Sequence, residues 1–182
     1  MKTIAVFVGS LRKESLNRKL AQALEKLAEG KLKFNWVELA DLPHYNDDLW
    51  ENPPASVTTL KQQVTDADGV LFVTPEYNRN FSSILKDAVD WATRPYGQNV
   101  WIGKPSAVIG TSLGQIGTAI GQNHLRLQLL VAGTIVMQMP EAYIQWKPES
   151  FSADHQITNA ETKKFLEGYL DSFANWIERH GG

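Results

Sequence analysis

The chain has 182 residues, 43% of them apolar and 21% charged, with 18 Lys and Arg set against 20 Asp and Glu for a formal net charge of -2. That length suits one ordinary domain, and the near-neutral balance argues against both a nucleic-acid binder with a basic stripe and a carrier with a strongly acidic docking face. There is no cysteine, which excludes disulfides, thiolate nucleophiles and iron–sulfur clusters, so any redox chemistry must rest on an organic cofactor.

Residues 3–9 (TIAVFVG) are a short β-branched run ending in Gly, the pattern of a strand buried on both faces of a parallel sheet. Residues 15–29 place Leu16, Leu20, Ala23, Leu24 and Leu27 at helical spacing, and Gly30 closes the helix. Residues 32–39 read as a second strand. Residues 40–54, with three prolines and several Asn and Asp, form a loop long enough to suggest a function. A helix is expected over 56–67 with Ser56 as its N-cap, then a third strand over 69–74 stopped by Pro75. Residues 82–93 read as a helix capped by Ser82, 105–111 as strand four, 115–131 as a helix and 134–138 as strand five. A final amphipathic helix spans 157–180.

Five alternations of strand and helix imply a parallel sheet covered on both faces, within a single domain over 1–182. Ligands of such sheets sit beyond the carboxyl ends of the strands, which here are the loops after Gly9, Thr74 and Thr111. His44, His124, His155 and His180 are scattered with no i+3 or i+4 pair, so no metal site is expected. No apolar run approaches the roughly 20 residues of a membrane span. The first residues do not resemble a signal peptide, so the location is expected to be cytoplasmic.

The loop Gly9-Ser10-Leu11-Arg12, continuing to Ser15, Leu16 and Asn17, offers hydroxyls, an amide, a guanidinium and the free N–H groups of a helix start. That combination favours a phosphate. It is neither a Walker A motif nor a Gly-x-Gly-x-x-Gly turn. Its other reading is an ordinary helix capped by Ser15. Pro75-Glu76-Tyr77-Asn78 leaves the sheet with backbone groups free to bond a polar ring edge, and with Tyr77 available to its face; the alternative is a plain surface turn. Thr111, Ser112, Leu113, Gly114, Gln115 and Gly117 form a third loop whose glycines allow close approach. A phosphate cradle beside two ring-gripping loops matches FMN in shape.

These residues, together with Leu85-Lys86, Ala88 to Trp91, Gly103-Lys104-Pro105 and His124-Leu125-Arg126, resemble the NADPH-dependent FMN reductase family, especially its chromate- and quinone-reductase branch. The likeness covers residues 3–145. It implies a flavodoxin-like sheet of five parallel strands in the order 2-1-3-4-5, FMN as cofactor and NAD(P)H as electron donor. The implied acceptors are quinones, flavin, azo dyes or metal oxyanions such as chromate, and the implied assembly is a homodimer or homotetramer. Ser10, Arg12, Ser15 and Asn17 would hold the phosphate, Pro75 to Asn78 the ring, and Ser112 to Gly117 its other side. A ping-pong cycle with hydride transfer to flavin N5 follows, and it needs no catalytic side chain. The alternative is a flavodoxin-type electron carrier serving a protein partner.

Two departures stand out. Relatives carry small residues with a Pro-Gly pair where this chain has Arg79-Asn80-Phe81-Ser82-Ser83, which places Arg79 and Tyr77 as candidate substrate contacts; and Thr118 stands where relatives often have Gly. Trp91, Trp101 and Trp146 suit either an interface or the core, and Arg126 either a cross-subunit ion pair or a solvated face.

Overall fold

The computed structural model describes residues 1–181. β1 (Lys2–Val8), β3 (Gly69–Val73) and β4 (Pro105–Ser112) form the middle of a parallel sheet, and β2 (Leu32–Trp36) lies outside β1. The register pairs Ile4 with Gly69 and Val8 with Val73, then Val70 with Ser106. Alternate residues of β1 serve opposite layers. Ile4, Val6 and Val8 join one core with α1 (Leu16–Leu27) and α5 (Ala160–His180), while Ala5 and Phe7 join the other with α2 (Ala55–Asp66), α3 (Ser83–Thr93) and α4 (Ala119–Ala132). A strand that must be apolar on both faces is a continuous hydrophobic run, which is why this segment shows no polar alternation.

The expected order 2-1-3-4-5 holds, but the fifth position is built from two strands. β5 (Ile135–Val136) and β6 (Ala142–Gln145) both run parallel to β4. Ser106 pairs with Val136 and Ile109 with Ala142, so three steps along β4 face six along its neighbour. The surplus bulges out through Met139 and Pro140, and proline contributes no ladder N–H. Arg126 reaches from α4 into the breach, donating from Nη1 to the Met137 carbonyl at 2.7 Å and from Nη2 to that of Val108 at 3.2 Å. Its guanidinium therefore repairs the chain's own broken edge rather than lying on a solvated face.

Three helix starts differ from expectation for identifiable reasons. The Pro54 carbonyl already accepts from Val57 and Thr58, so α2 begins with Pro54 rather than Ser56 in the cap position. Gly117 has φ 58, which a right-handed helix cannot contain, so residues 115–118 stay in the loop and α4 begins at Ala119. Asn159 caps α5 by accepting from the Thr162 N–H at 2.8 Å, leaving residue 157 in a small bridge with Phe151. Trp91 and Trp101 are fully buried core residues, their indoles donating to the Pro43 and Val89 carbonyls; Trp146 stacks on Phe151. Among the described residues no helix is long and apolar enough to cross a membrane, and no three His, Asp or Glu cluster as a metal site.

Candidate cofactor site

The loops after β1, β3 and β4 lie on one edge of the sheet, because the three strands are parallel and adjacent. In the first loop, Gly9 donates to Val73 and lies against α3; a Cβ there would fall 2.6 Å from both the Leu85 Cδ1 and the Ser82 Oγ. Only glycine lets the chain turn this close to α3. Ser15 caps α1, its hydroxyl accepting from the Arg18 N–H at 3.1 Å. The N–H groups of residues 10–14, and those of Leu16 and Asn17, find no partner among the described residues. No acid occupies the first turn of α1, Arg12 and Lys13 are exposed, and Glu14 is taken up by Lys19 at 2.7 Å. The result is a helix start with unspent donors and net positive side chains.

Asn17 does something the sequence reading missed. Its Nδ2 donates to the Thr111 carbonyl at 3.0 Å while its Oδ1 accepts from the Thr111 N–H at 2.9 Å. This two-point bond joins the first loop to the third and leaves one amide proton of Asn17 uncommitted.

The second loop is a tight turn. Tyr77 and Asn80 exchange two backbone hydrogen bonds, at 2.8 and 3.0 Å, across Asn78 and Arg79, whose φ values are 50 and 66. Two consecutive positive φ angles make a type I′ turn; Asn tolerates that region, whereas Arg occupies it at a cost in strain. The N–H groups of Glu76, Asn78 and Arg79 remain free. Glu76 points inward, its Oε2 accepting from the Ile120 and Gly121 N–H groups at 3.0 Å each.

In the third loop the Ser112 hydroxyl accepts from Gly114 and donates to the Gly117 carbonyl at 2.6 Å, which holds the turn in shape. A Cβ on Gly117 would lie 2.9 Å from the Ile144 N, so this glycine is needed by the fold. Gly114 faces open space, with only the Ser112 Oγ near it, and so leaves backbone open to a ligand. The N–H groups of Leu113, Gln115 and Ile116 are free. Leu11, Tyr77, Leu113 and Ile116 are all exposed, an apolar rim that a flat ring would cover.

Thr118, the unusual residue, is fully buried; its Oγ1 accepts from the Gln122 side chain at 3.0 Å. It fits because residue 110 is glycine, where a Cβ would come within 2.2 Å of that oxygen. A glycine inside a strand pattern is the one sequence signal that could have pointed to this close approach. The donor set as a whole fits FMN. The unpaired amides at the head of α1 suit a phosphate, and the free amides and apolar rim of the other loops suit a planar polar-edged ring.

The family model for NADPH-dependent FMN reductases matches residues 2–147. A 2-hydroxy-1,4-benzoquinone reductase of a Burkholderia species is 47% identical over 174 residues, covering 96% of this chain and 95% of its own. A quinone reductase of Pseudomonas putida is 46% identical over 178 residues, covering 97% of this chain and 95% of its own. The solved structure of FerB, a flavoenzyme NAD(P)H:(acceptor) oxidoreductase from Paracoccus denitrificans, superposes with a TM-score of 0.99 over 100% of both chains at 57% identity. Fold, loop geometry and sequence agree: this chain belongs to the NADPH-dependent FMN reductase family, oxidoreductases that use FMN and NAD(P)H.

Proposed function

We propose that the protein is an FMN-dependent oxidoreductase that takes reducing equivalents from NAD(P)H and delivers them to quinones, acting as one domain over residues 1–182. The observation that carries this reading is the run of unbonded N–H groups at residues 10–14, 16 and 17, at the head of a helix with no acid in its first turn. FMN held there would supply hydride chemistry, and one site serving donor and acceptor in turn would give a ping-pong cycle.

The chain binds and orients. Ser10, Arg12, Ser15 and Asn17 hold the phosphate with the amides of Leu11 and Leu16, where the helix end favours negative charge. The free amides of Glu76, Asn78, Leu113, Gln115 and Ile116 grip the ring, and donors directed at its polar edge stabilise negative charge there. Pro75 and Thr111 set where those loops leave the sheet, Gly9 and Gly117 let the loops pack against α3 and β6, and Gly114 leaves backbone open to the ring. Tyr77 and Arg79, both exposed, stand at the rim to meet the nucleotide and the acceptor. No side chain acts as a general acid or base.

The two quinone-reducing relatives support quinones as the acceptor class; flavin, azo dyes and chromate are further acceptors that an open rim admits. Leu127, Leu130 and Val131 form an exposed apolar stripe on α4, which supports a homodimer or homotetramer. The test is direct. Protein loaded with FMN should be yellow, lose its flavin absorbance when mixed with NAD(P)H, and regain it on addition of a benzoquinone. Colourless protein after incubation with FMN, or a flavin that NAD(P)H fails to bleach, would refute the proposal.

A further inference from the structure

We propose that Glu76 is a positioning residue of the flavin site, a carboxylate clasp that holds the ring-side turn against the head of α4; the proposal rests on the flavin reading above. A carboxylate in a surface turn is ordinarily solvated. This one has a side chain only 10% exposed, with Oε2 accepting from Ile120 and Gly121 at 3.0 Å and Oε1 facing the Arg79 guanidinium at 3.4 Å.

α4 has no other cap. Thr118, in the cap position, makes no side-chain bond to the helix amides, and the first turn of α4 holds no acid. The acceptor that these helix amides lack locally is therefore supplied from the second loop, with a charge that suits the helix end. The turn also lies directly on the helix: a Cβ on Gly121 would sit 3.1 Å from the Asn80 carbonyl oxygen. Turn and helix thus meet at one small residue, and the carboxylate closes the joint.

What the clasp holds is a strained object. Asn78 and Arg79 both have positive φ without a glycine between them, and such a turn persists only when its surroundings over-determine it. Released from α4, the turn would relax, and the free amides of Glu76, Asn78 and Arg79 would lose their fixed direction. Glu76 therefore acts through α4 and the turn, not by touching the flavin.

The experiment compares FMN affinity and thermal stability in wild type, Glu76→Ala and Glu76→Gln, using apo-protein titrated with FMN and followed by quenching of flavin fluorescence. Glutamine keeps an oxygen that accepts from both amides, so E76Q should bind within about threefold of wild type. E76A loses two charge-assisted bonds and should bind about tenfold more weakly or worse. A residue that merely capped a helix would lower the melting temperature of E76A and leave its affinity within about twofold of wild type at a temperature where it is folded; that result overturns the proposal, as does an E76Q that binds no better than E76A. Should E76A not fold, Glu76→Asp, which keeps the charge but shortens the arm by one methylene, is held to the same thresholds. Wild-type protein that takes up no FMN overturns the flavin reading itself, and the clasp with it.

Discussion

Replacing Asn17 with Ala tests whether the first and third loops are held together as the geometry requires. Asn17 and Thr111 are 4% and 2% exposed, so water cannot replace what the substitution removes. Two hydrogen bonds, at 3.0 and 2.9 Å, disappear, and the Thr111 N–H and carbonyl are each stranded in the interior. A buried polar group left without a partner costs about 1–3 kcal/mol, which for two groups puts the loss at about 2–6 kcal/mol. For a domain of this size each kcal/mol lowers the melting temperature by about 2–4 °C, so a mid-range loss of about 4 kcal/mol corresponds to roughly 8–16 °C. Ser15→Ala is the control: it removes one cap from the same helix and should cost about 1 kcal/mol. Asn17→Asp keeps an acceptor for the Thr111 N–H but sets a carboxylate oxygen against the Thr111 carbonyl, and should fall on the damaging side. Calorimetry of the apo-protein measures all three. If N17A melts within about 2 °C of wild type, or is milder than S15A, the two-point bond does not carry the load assigned to it.

Gly110→Ala would set a methyl 2.2 Å from both the Thr118 Oγ1 and the Thr74 carbonyl oxygen; overpacking of this kind costs about 1–3 kcal/mol or more, and pairing it with Thr118→Gly should recover part of the loss in urea denaturation. Ser82→Pro should stabilise the apo-protein by about 0.4–1 kcal/mol, since Ser82 has φ -72, its N–H makes no hydrogen bond and its buried hydroxyl has no partner; a lower urea midpoint would refute this. Burial works against the Asp68 charge, but the Thr3 N–H at 2.7 Å and the Lys2 and Lys104 ammonium groups outweigh it, holding this carboxyl below its ordinary 3.8. A depressed carboxyl pKa stabilises above the unfolded value and loses that contribution as pH falls through the folded one, so urea midpoints of wild type and Asp68→Asn should differ at about pH 6 and converge toward about pH 2–3.

Much of this architecture was legible because strands buried on both faces are runs of apolar residues and their helices carry a single apolar stripe. That is how TIAVFVG, GVLFVT and the strand over 105–111 located the three central loops, and the Leu16–Leu27 periodicity the helix after the first. Legibility failed where one element's conformation depends on another. Pro140 marks where the edge strand stops, but nothing local shows that it resumes over Ala142–Gln145, because the break is repaired by Arg126 from a different helix. An amide beside a helix start is chemically suited to a phosphate, so that much of Asn17 could be read locally; its second task, bonding Thr111, could not. Its partner, Thr111, lies 94 residues away, and no local pattern reports such a pair. The inward turn of Glu76 was hidden for the same reason: its donors, the Ile120 and Gly121 amides, are 44 and 45 residues distant.

These long-range bonds also decide where an anion goes. Each of the three central strands is followed by a helix that opens toward the same edge, so α1, α3 and α4 all present N-terminal amides and partial positive charge there. α4 is closed, because Ala119 donates to Ile116 and the carboxylate of Glu76 already takes the next two amides, those of Ile120 and Gly121. α3 begins behind Gly9, with Ser82 and Leu85 packed against that residue, and its first turn holds one cation, Lys86, which is paired with Asp90 at 2.5 Å. α1 alone combines unspent amides, an absence of acid in its first turn and two exposed cations, Arg12 and Lys13. The phosphate preference of the first loop is thus relative as well as intrinsic. On the proposed flavin reading, the carboxylate that would fix the ring-side turn also removes the competing helix end, and a dianionic tail would be left one favourable place to bind.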